Sequence, residues 1–135
     1  MKNLRFDAVV IGGGAAGMAA ALELERSGLS SAIVEREEAL GGILTQCIHT
    51  GFGLIEFNEE LSGPEFAGRF EDQVRERGIP TFLGTTVMEM DAGAADKILW
   101  CYSSIHGIVR IDCGAIVLAM GCRERNRGNV RIPGS

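Results

Sequence analysis

The chain lacks an excess of basic residues, and its cysteines and histidines are too few and too scattered for a metal site. The formal net charge is −5 over 135 residues, which excludes the basic surface that nucleic-acid binding requires. No two of the four cysteines stand at C-x-x-C spacing, and there are only two histidines. We therefore expect neither a zinc site nor a nucleic-acid partner. We interpret the cysteines as reduced thiols of a cytoplasmic protein.

The chain also lacks an apolar segment that could span a membrane. The uncharged run from Ala8 to Leu22 is too short to cross a bilayer. Asp7 stands at its edge and three consecutive glycines lie within it, which is unlike a signal peptide. A hydrophobic content of 46% is typical of a single globular domain of this length. We expect no membrane span and a cytoplasmic location.

Glycine is abundant instead, and three early glycines have the spacing of a dinucleotide-binding turn. Gly12, Gly14 and Gly17 follow a strand predicted at residues 5–11 and begin a helix predicted at residues 15–27. Gly12 would allow the tight turn, Gly14 would let a pyrophosphate approach the backbone, and Gly17 would let helix and strand pack closely. The positive end of the helix dipole would then face the phosphates.

Glu35 completes this pattern because it ends a second predicted strand at residues 31–35. A carboxylate at this place accepts hydrogen bonds from ribose hydroxyls in dinucleotide-binding folds. The residues therefore predict a site for a dinucleotide. An NAD-binding Rossmann domain is one interpretation, and in that case Glu35 would disfavour the 2′-phosphate of NADP.

The later elements differ in order from those of a plain NAD-binding domain. Phe66, Phe70 and Val74 recur at four-residue spacing and predict a helix at residues 65–77, before a short strand at 81–84. Three β-like runs follow at residues 85–90, 97–103 and 107–112, and a continuous apolar strand at 115–120. The fold class is therefore α/β: a Rossmann-like parallel sheet flanked by helices, with an antiparallel three-stranded β-meander.

Four stretches resemble the FAD domain of the two-dinucleotide-binding flavoproteins. They are VIGGGAAG at residues 10–17, IVER at 33–36 with two glycines at 41–42, GTTV at 84–87 and AIVLAMG at 115–121. In the last stretch, Met120 replaces the Thr of that family's second fingerprint. The loops at residues 41–54 and 119–128 are further similar to a bacterial group of NAD(P)/FAD-dependent oxidoreductases. That group includes FAD subunits of amino-acid and glycerol-3-phosphate dehydrogenase systems and, more distantly, thioredoxin reductase.

The resemblance implies FAD as the cofactor and assigns a place to each binding residue. The first glycines and alanines would line the pyrophosphate, and Glu35 would hold the ribose with Arg36 beside the adenine. Val87 would offer backbone groups to the adenine. Residues 42–43 would meet the phosphate–ribityl part, and residues 119–121 would pass close to the cofactor chain. The implied set is Gly12, Gly14, Ala15, Ala16, Gly17, Glu35, Arg36, Gly42, Ile43, Val87, Ala119, Met120 and Gly121.

The resemblance also predicts how the chain is organised. Residues 1–121 would be an FAD domain without its returning C-terminal strand, and residues 122–135 a linker toward an NAD(P)-binding domain that is absent here. We interpret the chain as a fragment of an FAD-dependent oxidoreductase that is inactive alone. An isolated dinucleotide-binding module without turnover is the alternative. The strand at 115–120 would have a bare apolar edge, where a second copy or a partner subunit would pair.

No residue has a pattern that assigns it to catalysis. Cys47 and His49 lie two apart, but a flavin disulfide reductase needs a second cysteine, so we interpret Cys47 as a bystander. His106 falls in a predicted turn. The arginines within residues 123–131 could bind an anion, although we interpret them as solvated linker.

Overall fold

The computed structural model describes residues 1–122, and they form one six-stranded sheet in the order β3-β2-β1-β6-β5-β4. Helices pack on one face of this sheet. The strands are β1 Lys2–Ile11, β2 Ser31–Val34, β3 Thr81–Phe82, β4 Thr85–Asp91, β5 Lys97–Ser103 and β6 Gly107–Leu118. The helices are α1 Ala15–Arg26, a 3-10 helix at Gly42–Gln46, α2 Leu54–Phe57 and α3 Gly63–Glu76.

The first half of the sheet is parallel, as the continuous apolar runs predict. β1 pairs in parallel with β2 on one side and with β6 on the other, and β2 pairs in parallel with β3. Helices α1 and α3 cover one face, where Val10 and Ile33 of the strands pack with Met18, Leu22 and Val74. The strand–helix–strand unit directs the carboxyl ends of β1 and β2 toward the start of α1.

The second half of the sheet is the predicted antiparallel meander, and it curls over the face that the helices leave open. Leu99 and Ile111, on β5 and β6, belong to the same buried cluster as Val9 and Val34 of the parallel strands. The N–H of Thr85, at the start of β4, donates to the carbonyl of Glu35 at 3.0 Å. β4 and β2 are four places apart in the strand order. A hydrogen bond between the ends of such distant strands requires the sheet to be strongly curved. The α/β class with a meander is confirmed.

One element differs from the prediction: the runs at 107–112 and 115–120 are a single strand, β6, which ends at Leu118. The strand continues because β1 is long too, and the two pair from Lys2↔Val109 to Ile11↔Leu118. The prediction of a strand reaching Met120 was therefore wrong. β6 is also no bare edge, since residues 109–118 pair with β1 on one side. β5 pairs only as far as Cys113, so the other side of residues 115–118 has no partner within residues 1–122.

Local signals set the ends of both long helices. α1 ends at Arg26, and Gly28 follows with a positive φ of 78°, a conformation that glycine adopts at low cost. α3 begins with a capping box, in which the side chains of Ser62 and Glu65 each accept a hydrogen bond from the other residue's N–H. α3 packs on α1 and on the 3-10 helix, so it supports the loop beside the glycine turn.

Residues 1–122 contain neither a membrane-spanning helix nor a metal-binding cluster. No helix there is both long and apolar enough to cross a membrane. Within the same residues, no cluster of three or more His, Cys, Asp or Glu side chains could hold a metal ion.

Candidate functional site

The glycine turn joins β1 to α1, and backbone contacts surround its first glycine, Gly12. Gly12 has a φ of 109°, and its N–H donates to the carbonyl of Val34 at 2.9 Å. A Cβ on Gly12 would overlap the carbonyl oxygen of Ala119. Ala119 in turn donates its N–H to Ile11 at 2.8 Å. The turn therefore lies directly against the exit of β6, and two of the predicted site segments meet there.

Gly17 and Gly14 stand in the same motif but meet different surroundings. A Cβ on Gly17 would overlap the carbonyl oxygen of Gly12, so Gly17 is required by packing of the helix on the turn. A Cβ on Gly14 would have only the Cα of Gly42 within 4 Å, at 3.9 Å. The protein itself leaves the space beside Gly14 open, so a ligand has room to approach the backbone there.

The start of α1 offers hydrogen-bond donors to that space. Helix bonding begins with the N–H of Met18, which donates to Gly14 at 3.0 Å. Within residues 1–122, the N–H groups of Gly14, Ala15, Ala16 and Gly17 have no acceptor, and no side chain caps the helix. The first turn carries no acidic residue either. Such a helix start, with its positive dipole end, suits a phosphate group.

Glu35 lies behind the turn, and its carboxylate is directed at Gly13. Its side chain is buried, and Oε2 accepts the N–H of Gly13 at 2.6 Å. Oε1 accepts the N–H of Glu37 at 3.0 Å. Two charge-assisted bonds compensate for the burial of the charge. Glu35 is thus beside the turn, as its place in the sequence predicts.

The loop after β2 packs over the same turn and brings Gly42 to it. Gly41 donates its N–H to the carbonyl of Gly13 at 2.8 Å, and a Cβ on Gly13 would overlap the side chain of Leu40. Ile43 is the second residue of the 3-10 helix and is 71% exposed. Arg36 is exposed as well and forms an ion pair with Glu37 at 3.4 Å.

The remaining predicted residues lie at the ends of β6 and β4. Met120 is 67% exposed, and Gly121 has a φ of 72°. Val87 packs against the meander core, immediately before a register shift that leaves Met88 without a partner in β5. A bulge of this kind leaves backbone groups outside the ladder, and it lies two residues after the Thr85–Glu35 bond.

The other reactive side chains are separated from the turn or bonded locally. Cys47 lies at the end of the 3-10 helix, where its Sγ donates to the carbonyl of Ile43 at 3.4 Å. His49 stacks on Phe52 with ring centroids 5.3 Å apart. Burial raises the pKa of the Cys101 thiol to about 11 and raises that of Cys113 as well, which makes both poor nucleophiles. The arginines at 123–131 lie outside the described residues.

Sequence reasoning missed two features around the site. Gly13 and Leu40 join the turn to the loop at 36–46, and the run of three glycines was the signal for the first of them. The second feature is an aromatic cluster, and its rings are those of His49, Phe52, Phe57, Phe66 and Phe70. It borders an open depression of about 450 Å³ lined by residues 51–56 and Phe66, in a stretch that the sequence describes only as an irregular glycine-rich loop.

The model of the family described as "FAD dependent oxidoreductase" matches residues 7–105. This range includes the glycine turn, Glu35, the loop at 36–46 and most of the meander. The chain therefore belongs to the FAD-dependent oxidoreductase family, and FAD is the cofactor of this family. The residues present fit such a cofactor, because the open space beside Gly14 lies at the start of a helix whose first N–H groups have no acceptor in the described part of the chain.

The chain is also similar in sequence or in structure to individual proteins. The chain is 29% identical over 135 aligned residues to hydrogen cyanide synthase subunit HcnB of Pseudomonas protegens, across 93% of this chain and 26% of that protein. A thioredoxin reductase structure from Streptococcus pyogenes superposes with a TM-score of 0.75 at 25% identity, across 93% of this chain and 38% of that one. The L-proline dehydrogenase structure from P. horikoshii gives 0.76 at 24% identity, across 89% and 23%, and shows the shared fold. The chain thus spans well under half the length of these relatives.

Proposed function

We propose that residues 1–121 form the FAD-binding domain of a flavin-dependent dehydrogenase, and that residues 122–135 link it to further parts of the protein. The observation that carries this proposal is the start of α1. Four N–H groups without acceptors in residues 1–122 surround a position where a side chain is absent and the space is open. A pyrophosphate supplies negatively charged oxygen atoms that can accept hydrogen bonds from these N–H groups.

The proposed roles follow from the positions of the residues around the turn. The N–H groups of residues 14–16 bind the pyrophosphate, while Gly12 and Gly17 allow the backbone to approach. Glu35 accepts hydrogen bonds from the adenosine ribose. Arg36 and the backbone of Val87 border the adenine. Gly42 and Ile43 meet the phosphate–ribityl part, and residues 119–121 pass close to the cofactor chain. These assignments, like those of Arg36 and Val87, rest on resemblance to the family.

In this proposal the flavin, when bound, supplies the hydride or electron transfer. The chain's own residues bind the cofactor, orient it and exclude water from its phosphates. The substrate is of the pyridine-nucleotide or amine or alcohol class, and turnover belongs to a longer protein with an NAD(P)-binding domain. Residues 1–121 act within it as a binding module.

We also propose that the free side of residues 115–118 pairs with a strand of a second copy. Leu118 is 59% exposed there, and an unpaired strand edge is a template for another chain. Leu118→Lys should then shift the chain to the monomer in sedimentation at micromolar concentration. A chain that is monomeric before the change contradicts this pairing.

We propose a cytoplasmic location too, which the four free thiols favour.

Titration of the purified chain with FAD tests the cofactor site. We expect flavin fluorescence to change on binding, and Gly14→Val to abolish the change because its side chain fills the phosphate space. The free energy of unfolding, measured in urea, should be little affected, since only the Cα of Gly42 lies within 4 Å of a Cβ at this position.

Gly68→Ala is the matched control, because a Cβ on Gly68 also has no close neighbour but lies in α3. It should retain FAD binding. Undiminished affinity for FAD in Gly14→Val would show that the cofactor site is elsewhere. A chain that binds NAD and not FAD would contradict the assignment to the flavin.

A further inference from the structure

We infer that Glu35 is a positioning residue that fixes the shape of the glycine turn before any ligand binds. This inference rests on the proposed function and adds a second role to the contact with ribose. The carboxylate acts on the phosphate cradle through Gly13, so its effect extends to ligands that have no ribose hydroxyls.

Glu35 makes hydrogen bonds through all four of its polar groups. Its carboxylate accepts the N–H of Gly13 at 2.6 Å and that of Glu37 at 3.0 Å. Its own N–H donates to Phe82 at 2.9 Å, and its carbonyl accepts the N–H of Thr85 at 3.0 Å. The glycine turn, the loop after β2 and the start of the meander therefore meet at one residue.

The bond to Gly13 decides which N–H groups remain for a phosphate. Gly13 is held on both sides, because its N–H donates to Glu35 and its carbonyl accepts the N–H of Gly41 at 2.8 Å. With this peptide orientation fixed, the next N–H groups along the chain, from Gly14 onward, are left without acceptors in residues 1–122. The turn is thereby pre-organised, which lowers the entropy cost of binding.

A carboxylate is the side chain that this position needs. Both oxygens of Glu35 face N–H donors, and a carboxylate offers acceptors at both. Glutamine has the same shape, but its NH₂ group replaces one of the two oxygens. That NH₂ group would face the N–H of Gly13 or of Glu37, which is also a donor. Glu35→Gln should therefore release either Gly13 or Glu37 without leaving a cavity.

The test uses two ligands, ADP and 2′,3′-dideoxy-ADP, titrated calorimetrically into the full chain and its variants. If Glu35 positions the turn in addition to contacting ribose, Glu35→Gln weakens the dideoxy ligand on the order of tenfold for one lost charge-assisted bond, and weakens ADP by at least as much. If Glu35 only contacts ribose, the variant weakens ADP and leaves the dideoxy ligand unchanged, which overturns the inference. Glu38→Gln makes the same change of charge in the same loop, at an exposed position, and should leave both affinities as they are.

Amide hydrogen exchange in the ligand-free chain tests the positioning role independently of binding. Exchange at Gly13 and Glu37 should be slow in the unmodified chain and faster in Glu35→Gln, and Glu35→Asp should lie between them. Unchanged exchange at both amides in Glu35→Gln overturns the inference. If the unmodified chain binds neither ligand, the proposed function fails, while the exchange rates still decide whether Glu35 holds the turn.

Discussion

At the glycine turn, neighbouring segments pack backbone against backbone, whereas in the meander they pack through buried side chains. A Cβ on Gly12 or Gly17 would overlap a carbonyl oxygen of the neighbouring segment. In the meander, Leu99 and Ile111 are fully buried and pack with Val9 and Val34 across the sheet. Gly12 and Gly17 therefore tolerate no added side-chain atom, while the meander depends on the side-chain atoms that it has. The two regions should respond to mutation in opposite ways.

Adding one methyl group at the turn should have the largest effect. Gly17→Ala places a Cβ against the carbonyl oxygen of Gly12. The backbone fixes the positions of both atoms, so no side-chain rotation can separate them. We expect a loss of about 3 kcal/mol or more in the free energy of unfolding, despite the better helix propensity of alanine. Urea denaturation followed by circular dichroism measures this.

Gly68→Ala makes the same change in α3, where a Cβ has no neighbour within 4 Å. It should gain up to about 1 kcal/mol, because glycine is unfavourable within a helix. Equal responses of the two variants would show that the turn is not closed by backbone contact.

Removing atoms from the meander should have the next largest effect. Leu99→Ala deletes a side chain that is 0% exposed, and we expect a loss of about 2–3 kcal/mol in the free energy of unfolding. Binding of FAD by the folded fraction should be unchanged, because the altered contacts are with the meander core. Ile105→Ala, in the turn between β5 and β6 at a 78% exposed position, is the control and should change stability little. A variant with native stability but weakened FAD binding would contradict this separation of the two regions.

The turn was predictable from the sequence because its chemistry is encoded in single residues at fixed spacing. The absence of Cβ atoms at 12, 14 and 17 and the acid at 35 indicate it without knowledge of the rest of the fold. The bond from Gly13 to Glu35 was not predictable, since it depends on how the loop after β2 packs. The aromatic cluster likewise forms between residues 49 and 70, which show no common period.

The meander was predictable in its strands but not in its continuity. Residues 97–103 were predicted with the observed bounds, because alternation and turn residues mark both ends. Gly114 interrupted the apolar pattern and indicated two strands where there is one. The long partner β1 decides this, and its length was underestimated because Lys2 and Asn3 are polar.

A smaller effect should appear in the reactivity of the buried thiols. Burial raises the pKa of Cys101 to about 11, so at pH 8 about one thiol in a thousand is ionised. Alkylation by iodoacetamide, followed by mass spectrometry, should be at least 100-fold slower at Cys101 than for a free cysteine derivative, while exposed Cys122 is modified readily.

The same pKa shift gives the pH dependence of stability with a definite sign. The folded pKa of Cys101 is higher than the unfolded value, so its contribution is complete below the unfolded pKa and is lost as pH rises toward 11. Cys101→Ala should remove this part of the alkaline loss. Modification of Cys101 at the rate of Cys122 in the native chain would contradict a closed meander core.

The capping box of α3 should give the smallest effect, because it lies in neither region and at the surface. Ser62→Ala removes the acceptor for the N–H of Glu65, and we expect a loss of about 1 kcal/mol in the free energy of unfolding. The N–H of Ser62 still donates to Glu65, which is the main cause of that carboxyl's lowered pKa. The associated stability is present at neutral pH and lost as pH falls through the folded pKa of Glu65, so most of this acid dependence should survive in the variant. Ser104→Ala, in an exposed turn, is the control, and an equal loss there would show that the cap contributes nothing specific.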